Sequence, residues 1–405
     1  MNKKEIKKQN LEPLDYLEPL DESIGLLMGC DPEFFFVNGK GQVVGSEKVL
    51  PKKGLKWKDD DFGYSDSGYE DTQKPIFIID GVQAELNPEP NTCRALLGND
   101  IHSCFLQLRK HLKAEGKTLS INFDPLVKIT QIELDSLSES SRVFGCDPSS
   151  NVYQTRAQAR IRVNPKKYLK RSAGGHIHLG ADAYQRPLRR TLKNVKVMVP
   201  LLDLVVANTC VLIDRHPGNK ERRANYGRCG EYRVKPYGLE YRALSNFWLK
   251  SYQLMSLVMG LCRFTVEMAA ESESGVKTRD YIKALLNAVP RQDVIKAVQE
   301  NDWKLAYANF KKIEPIILAA AYDNEYDFPI GNNNIDEFHY FVKKINECGL
   351  EYWFSGDSLT HWCNLPDGHD RGWESFCRNR IRKAMRGKYV PINLNAKAPV
   401  VAVEA

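Results

Sequence analysis

Apolar and polar residues alternate along the chain in short runs that are punctuated by glycine, proline and asparagine, and longer runs of helical spacing follow. The first clear run, GLLMGCDPEFFFVNGKGQVV, spans Leu26 to Val37 as strand, turns at Asn38-Gly39 and returns through Val43-Val44. IFIIDGVQAEL, from Ile76 to Leu86, reads as one alternating strand that stops at Asn87-Pro88. Cys93 to Ala114 repeats apolar residues at three- and four-residue spacing, the pattern of an amphipathic helix. Extended stretches are expected at Ile121 to Ile132, Arg156 to Val163, Gly175 to Gly180 and Leu239 to Leu244. Between and after them, core helices are expected at Lys193 to Ile213, with Pro200 interrupting or starting it, and at Leu249 to Ala270.

Beyond about residue 276 only helical patterns remain, over 278–288, 291–321 and 335–348, with Trp353, Trp362 and Trp373 read as packing residues. The organisation expected is a loose lead-in over 1–24, a mixed body over 25–275, and a helical region with a frayed tail over 276–405. Residues 51–75 hold no sustained period, which suggests a long surface loop or a lid.

Composition narrows the classes. With 405 residues, 42% hydrophobic and 27% charged, the chain matches globular proteins and not disordered or fibrous ones. A net charge of +7 is too dilute for electrostatic nucleic-acid binding, and it favours small phosphorylated ligands weakly. No secretory leader and no run near the ~18 apolar residues of a membrane span is visible, so a cytoplasmic protein without membrane contact is expected. The ten cysteines lack CxxC or zinc spacing and read as reduced core residues.

Candidate chemistry sits in segments whose polar residues a plain strand does not need. Side chains two apart share a strand face, so Asp31 with Glu33, His176 with His178, and Glu240 with Arg242 each present a pair to one side, with Glu85 on a further strand. Burying that many carboxylates costs several kcal/mol each unless they are compensated, and divalent cations would compensate them. Oxygen ligands with one or two imidazoles suit Mg2+ or Mn2+, and arginines beside them suit ATP phosphates. Taken singly, each motif is more often something plainer: a solvated turn acid, a core histidine, a cross-strand ion pair, an exposed basic run. Their joint occurrence beside glycines carries the argument.

GCDPEFF, DGVQAELNP, FGCDPSSNVY, SAGGHIHLG and EYRVKPYGLEYRALSNFW, in that order, resemble the phage-type carboxylate-amine ligases, that is, COOH-NH2 ligase type 2 or amidoligases of the glutamine synthetase and glutamate-cysteine ligase superfamily. The resemblance covers about residues 25 to 270. It implies an α+β fold in which an antiparallel sheet forms a glutamine-synthetase-like half-barrel flanked by helices and holds ATP with Mg2+ or Mn2+. Glu33, Glu85, either His176 or His178, and Glu240 would ligate metal, with Asp31 weaker because its side chain is shorter. Arg242 would face the phosphates, and Arg222, Arg223, Arg228 and Arg233 fall in the basic segment of the family. Asp147 or Glu231 could accept the proton of the amine, and Asn151 could line the pocket or form an Asx turn.

The implied reaction joins a small-molecule or peptide carboxylate to an amine through an acyl phosphate. The implied protein acts in the cytoplasm, that of the host if it is phage-encoded, and relatives of this kind often assemble as homo-oligomers. The alternatives are a metal-dependent hydrolase built on HxH, or a non-catalytic phage structural or binding protein.

Overall fold

The computed structural model describes residues 26–56, 74–92, 94–144, 149–154, 164–181, 186–271, 276–324 and 356–365. Two antiparallel sheets meet where the first apolar run is broken. β1 (Leu26–Cys30) and β2 (Glu33–Val37) are separated by Asp31-Pro32, and proline, which has no donor for a ladder, ends the first strand there. What reads as one strand therefore enters two sheets.

In the first sheet β1 pairs with β10 (Ile177–Ala181), which pairs with β12 (Gly238–Tyr241), then β11 (Glu231–Lys235), then β8 (Ser150–Asn151). In the second, β3 (Val43–Val44), β2, β5 (Gln83–Leu86) and β4 (Phe77–Asp80) follow in order, with β6 (Ser120–Asn122) also on β2. Together they curl into a half-barrel, and a small ribbon of β7 (Leu126–Lys128) and β9 (Lys170–Ser172) lies beside it.

Helices cover the convex side. In α1 (Arg94–Ala114) Leu97, Ile101, Cys104, Phe105, Leu108 and Leu112 form the buried stripe that the spacing predicts. Phe105 joins Phe34, Phe77 and Phe123 in a cluster of ring contacts at 5.7 to 6.3 Å. After the short helices α2 (Gln131–Asp135), α3 (Glu139–Arg142) and α4 (Arg186–Lys193), the apolar helix α5 runs over Val195–Val211. It contains Pro200 and a widened turn at Asp203–Ala207. α6 (Gly218–Asn225) leads into β11, and α7 (Tyr252–Glu271) is buried along most of its length.

The helices α8 (Val276–Ala288), α9 (Arg291–Gln299) and α10 (Trp303–Asn324) share the main core. Asn208 of α5 donates to the Ala306 carbonyl at 3.0 Å and accepts from Asn309 at 3.0 Å. α11 (Ser358–Cys363) puts Trp362 against Phe105, and its indole donates to the Leu249 carbonyl at 2.7 Å, so this tryptophan is a packing residue as expected.

Several boundaries differ from the sequence reading. IFIIDGVQAEL is a hairpin and not one strand: Asp80 pairs with Gln83 across a turn at Gly81-Val82, and Gly81 adopts φ +66°, which glycine tolerates. The helical pattern of 291–321 is two helices, divided where Asn301 takes a left-handed φ of 53°. β11 lies in what reads as a plain basic run. The expected strand at 156–163, the helix at 335–348, Trp353, Trp373 and most of the expected loop at 51–75 lie outside the described residues.

Candidate active site

The concave face collects the polar residues row by row. Register pairs His178 with Glu240, and Glu240 with Arg233, so β10, β12 and β11 aim these three side chains to one side. Two positions along, His176 and Arg242 share that face. On the second sheet Glu33 pairs with Glu85, and the β4–β5 hairpin brings Asp80 to the same side.

Two groups of possible metal ligands result, each with donor atoms within 4.8 Å of one another: Asp31, His178 and Glu240; and Glu33, Asp80 and Glu85. Asp31 and Glu33 are thus divided between the groups by the break at Pro32.

The groups are joined by a buried hydrogen-bonded chain. His176 Nδ1 lies 3.0 Å from Asp31 Oδ1, and its Nε2 lies 2.8 Å from the Tyr226 hydroxyl. That hydroxyl donates to Glu33 Oε1 at 2.6 Å, and the Gly174 amide donates to Glu33 Oε2 at 2.7 Å. A Cβ on Gly174 would meet His176 Nε2 at 2.5 Å, so the double glycine before HIHLG lets the backbone approach the ring. The arrangement separates the two histidines. Both nitrogens of His176 are engaged, whereas His178 meets the Tyr237 hydroxyl through Nδ1 at 2.7 Å and keeps Nε2 without a hydrogen bond, 3.2 Å from Asp31 Oδ2. An imidazole held by one nitrogen with the other facing carboxylates has the form of a metal ligand.

Electrostatics differ between the groups. Glu240 is fully buried and touched by Arg242, by Arg233 at 3.2 Å and by Lys235 at 2.9 Å. Burial would raise its carboxyl, but Arg242 and His176 outweigh that and hold it below the usual range. Burial likewise opposes ionisation of Asp31, and His176 and His178 hold it far below its ordinary value. In the other group burial and like charge outweigh the pull of Arg242 and Arg233 on Asp80. Burial first, then Glu33 and Asp31, push Asp80 up to about 7. Burial, Asp31, Glu33 and Asp80 push Glu85 up to about 9. Carboxyls crowded until they retain protons near neutrality fit a divalent cation, which would replace those protons.

The remaining candidates are spread more widely. Arg222 is wholly buried; its guanidinium lies 5.2 Å from the Tyr226 ring and donates to the Leu244 carbonyl at 2.6 Å. Arg223 is buried and donates to Asn301 at 2.8 Å, and Arg228 donates to the Ala224 carbonyl at 2.8 Å. Of the five arginines expected to face phosphates, Arg233 and Arg242 stand in the cluster, while these three are engaged with other partners. Glu231 is buried and accepts from the Gly227 amide at 3.0 Å. Asn151 forms the Asx turn, accepting from the Tyr153 amide at 2.9 Å and donating to the Cys229 carbonyl at 2.7 Å. Asp147 lies outside the described residues. Sequence reading missed Asp80, Tyr226, Lys235 and Tyr237; the Asp80-Gly81 dipeptide, a hairpin signal, could have revealed the first.

Behind the sheet, Tyr241 donates to the buried Asp203 at 2.7 Å, which ties the widened turn of α5 to the strand carrying Glu240. Burial pushes Asp203 up to about 6.

The half-barrel, the paired acidic groups and the arginines beside them define a candidate centre for chemistry on anionic substrates. Residues 150–307 match the family described as phage phiEco32-like COOH.NH2 ligase-type 2, a span that contains His176, His178, Glu240 and Arg242. This match supports the amidoligase family that the motifs resemble, and the family's name indicates a carboxylate-amine ligase. Among curated proteins nothing matches. Among the described residues, no single helix is long and apolar enough to cross a membrane.

Proposed function

We propose that the protein is an ATP-dependent carboxylate-amine ligase with a glutamine-synthetase-like catalytic half-barrel, working through an acyl phosphate of its acid substrate. The observation that carries this is the pair of acidic groups on one concave face, one of crowded carboxyls and one surrounded by Arg242, Arg233 and Lys235.

A carboxylate is a poor acyl donor because oxide is a poor leaving group. In the proposed sequence the acid's oxygen attacks the γ-phosphorus of ATP and ADP leaves; the amine then attacks the acyl carbon, phosphate leaves, and the nitrogen gives up a proton. Glu33, Asp80 and Glu85 would hold one divalent cation, and Asp31, His178 and Glu240 another. Such cations, once bound, supply charge neutralisation for phosphate oxygens. Arg242 and Arg233 contribute fixed positive charge to the transferring phosphoryl group, in a site where burial strengthens the effect. Tyr226 and His176 hold Glu33 and Asp31 in position, and Tyr237 does the same for His178. Peptides and small acids and amines remain the substrate classes.

The test is hydroxylamine trapping. Purified protein with ATP and Mg2+ is incubated with panels of carboxylic acids and hydroxylamine, and ADP and hydroxamate are measured together. Equal amounts of both with at least one acid are expected. Hydrolysis of amides with metal and without nucleotide would favour a hydrolase and sink the ligase proposal.

A further inference from the structure

Glu240 carries more positive charge than one carboxylate requires. Arg242 and Arg233 both meet Oε1, whereas Lys235 Nζ stands 2.9 Å from Oε2, and that oxygen makes no hydrogen bond although it is buried. Asp31 and Glu240 supply two negative charges, and Arg242, Arg233 and Lys235 supply three positive ones. A divalent cation entering beside Asp31, His178 and Glu240 would leave this corner strongly positive unless one resident cation moved.

The three cations differ in how free they are. The Arg242 side chain is 2% exposed and Arg233 is 21% exposed, but Lys235 is 32% exposed, at the end of β11 beside the exposed Pro236 and Tyr237. Its flexible stem can swing without moving the strand. Alternation along β11 keeps it on the same face as Arg233, so the swing stays over the site.

We propose that Lys235 is a placeholder cation. It covers the open oxygen of Glu240 until a divalent cation arrives with a polyphosphate, then transfers to the phosphate oxygens. This rests on the ATP-dependent ligase proposal and adds to it an exchange: one side chain opposes metal binding in the absence of nucleotide and supports nucleotide binding afterwards. The exchange limits metal occupancy of this group until its anionic partner is present.

The test uses Lys235→Met, Lys235→Arg and, as a control, Lys220→Met, whose side chain is paired with Glu300 on the surface. Mn2+ affinity without nucleotide is read by electron paramagnetic resonance, and affinity for the Mg2+ complex of a nonhydrolysable ATP analogue by calorimetry. Lys235→Met is expected to bind Mn2+ about fivefold more tightly and the analogue about fivefold more weakly, the scale of one partly exposed ion pair. Lys235→Arg and Lys220→Met are expected to stay near wild type in both. If Lys235→Met weakens both affinities together, or changes neither, the placeholder role is overturned while the ligase proposal stands. Wild-type protein that binds neither Mn2+ nor the analogue overturns both.

Discussion

Replacing Asp80 by asparagine should stabilise the cation-free protein while removing one ligand of the proposed cation site. Glu33, Asp80 and Glu85 bring ligand atoms within 4.8 Å of each other. Two unit charges at that distance repel by about 3.5 kcal/mol at an effective dielectric of about 20. The displacement of Asp80 from 3.8 to about 7 corresponds to about 4 kcal/mol at roughly 1.4 kcal/mol per pH unit. Both routes give the same order.

The sign follows from proton binding. A carboxyl whose folded value is raised binds its proton more tightly in the folded state, so stability falls as pH rises through the interval between the ordinary and the raised value. For Asp80 that interval runs from about 4 to about 7, and for Glu85 it extends to about 9. At pH 8 in chelator, Asp80→Asn is expected to be more stable than wild type by about 2 to 4 kcal/mol in urea unfolding. The gap narrows below pH 6. Added Mg2+ or Mn2+ stabilises the wild type more than the variant, which keeps only the group of Asp31, His178 and Glu240. A variant less stable than wild type at pH 8 in chelator would refute the reasoning.

Three further outcomes follow from particular contacts. Tyr226→Phe removes the hydroxyl joining His176 to Glu33; it is expected to cost about 1 to 3 kcal/mol in urea unfolding and to weaken Mn2+ binding at both acidic groups together. Arg222→Leu removes the Arg222 donor from the Ala243 carbonyl and leaves the Leu244 carbonyl only the Gly175 amide, and it is expected to lose about 1 to 3 kcal/mol of stability. Mn2+ affinity measured below its unfolding transition should then be unchanged, and a selective loss of nucleotide binding would contradict the structural role. Trp362→Ala is expected to cost about 3 to 5 kcal/mol through the cavity left beside Phe105, measured as a lowered urea midpoint with unaltered metal binding.

Much of the site was legible because strands impose a period of two. His176, His178, Glu240 and Arg242 share a face for that reason, and Glu85 was found in the ELNP segment. The rest depended on where strands break. Read as one strand, IFIIDGVQAEL sends Asp80 and Glu85 to opposite faces; the turn at Gly81-Val82 reverses the chain and brings them together. Read as one strand, DPE keeps Asp31 and Glu33 side by side; Pro32 instead delivers them to different acidic groups. The burial of Arg222 and Arg223 has no sequence signal either, since sequence shows charge and not burial. Tyr226 and Tyr237 had no readable signal, since a hydroxyl that positions a ligand carries no motif of its own. The helices were the easiest part: the apolar stripe of α1 is visible in the spacing from Leu97 to Leu112.

The central claim is tested most directly by counting cations. Electron paramagnetic resonance of the protein with Mn2+ and a nonhydrolysable ATP analogue is predicted to show two magnetically coupled ions, one of which is lost in Glu85→Ala and the other in His178→Ala. No bound Mn2+, or two ions that survive both substitutions, would contradict it.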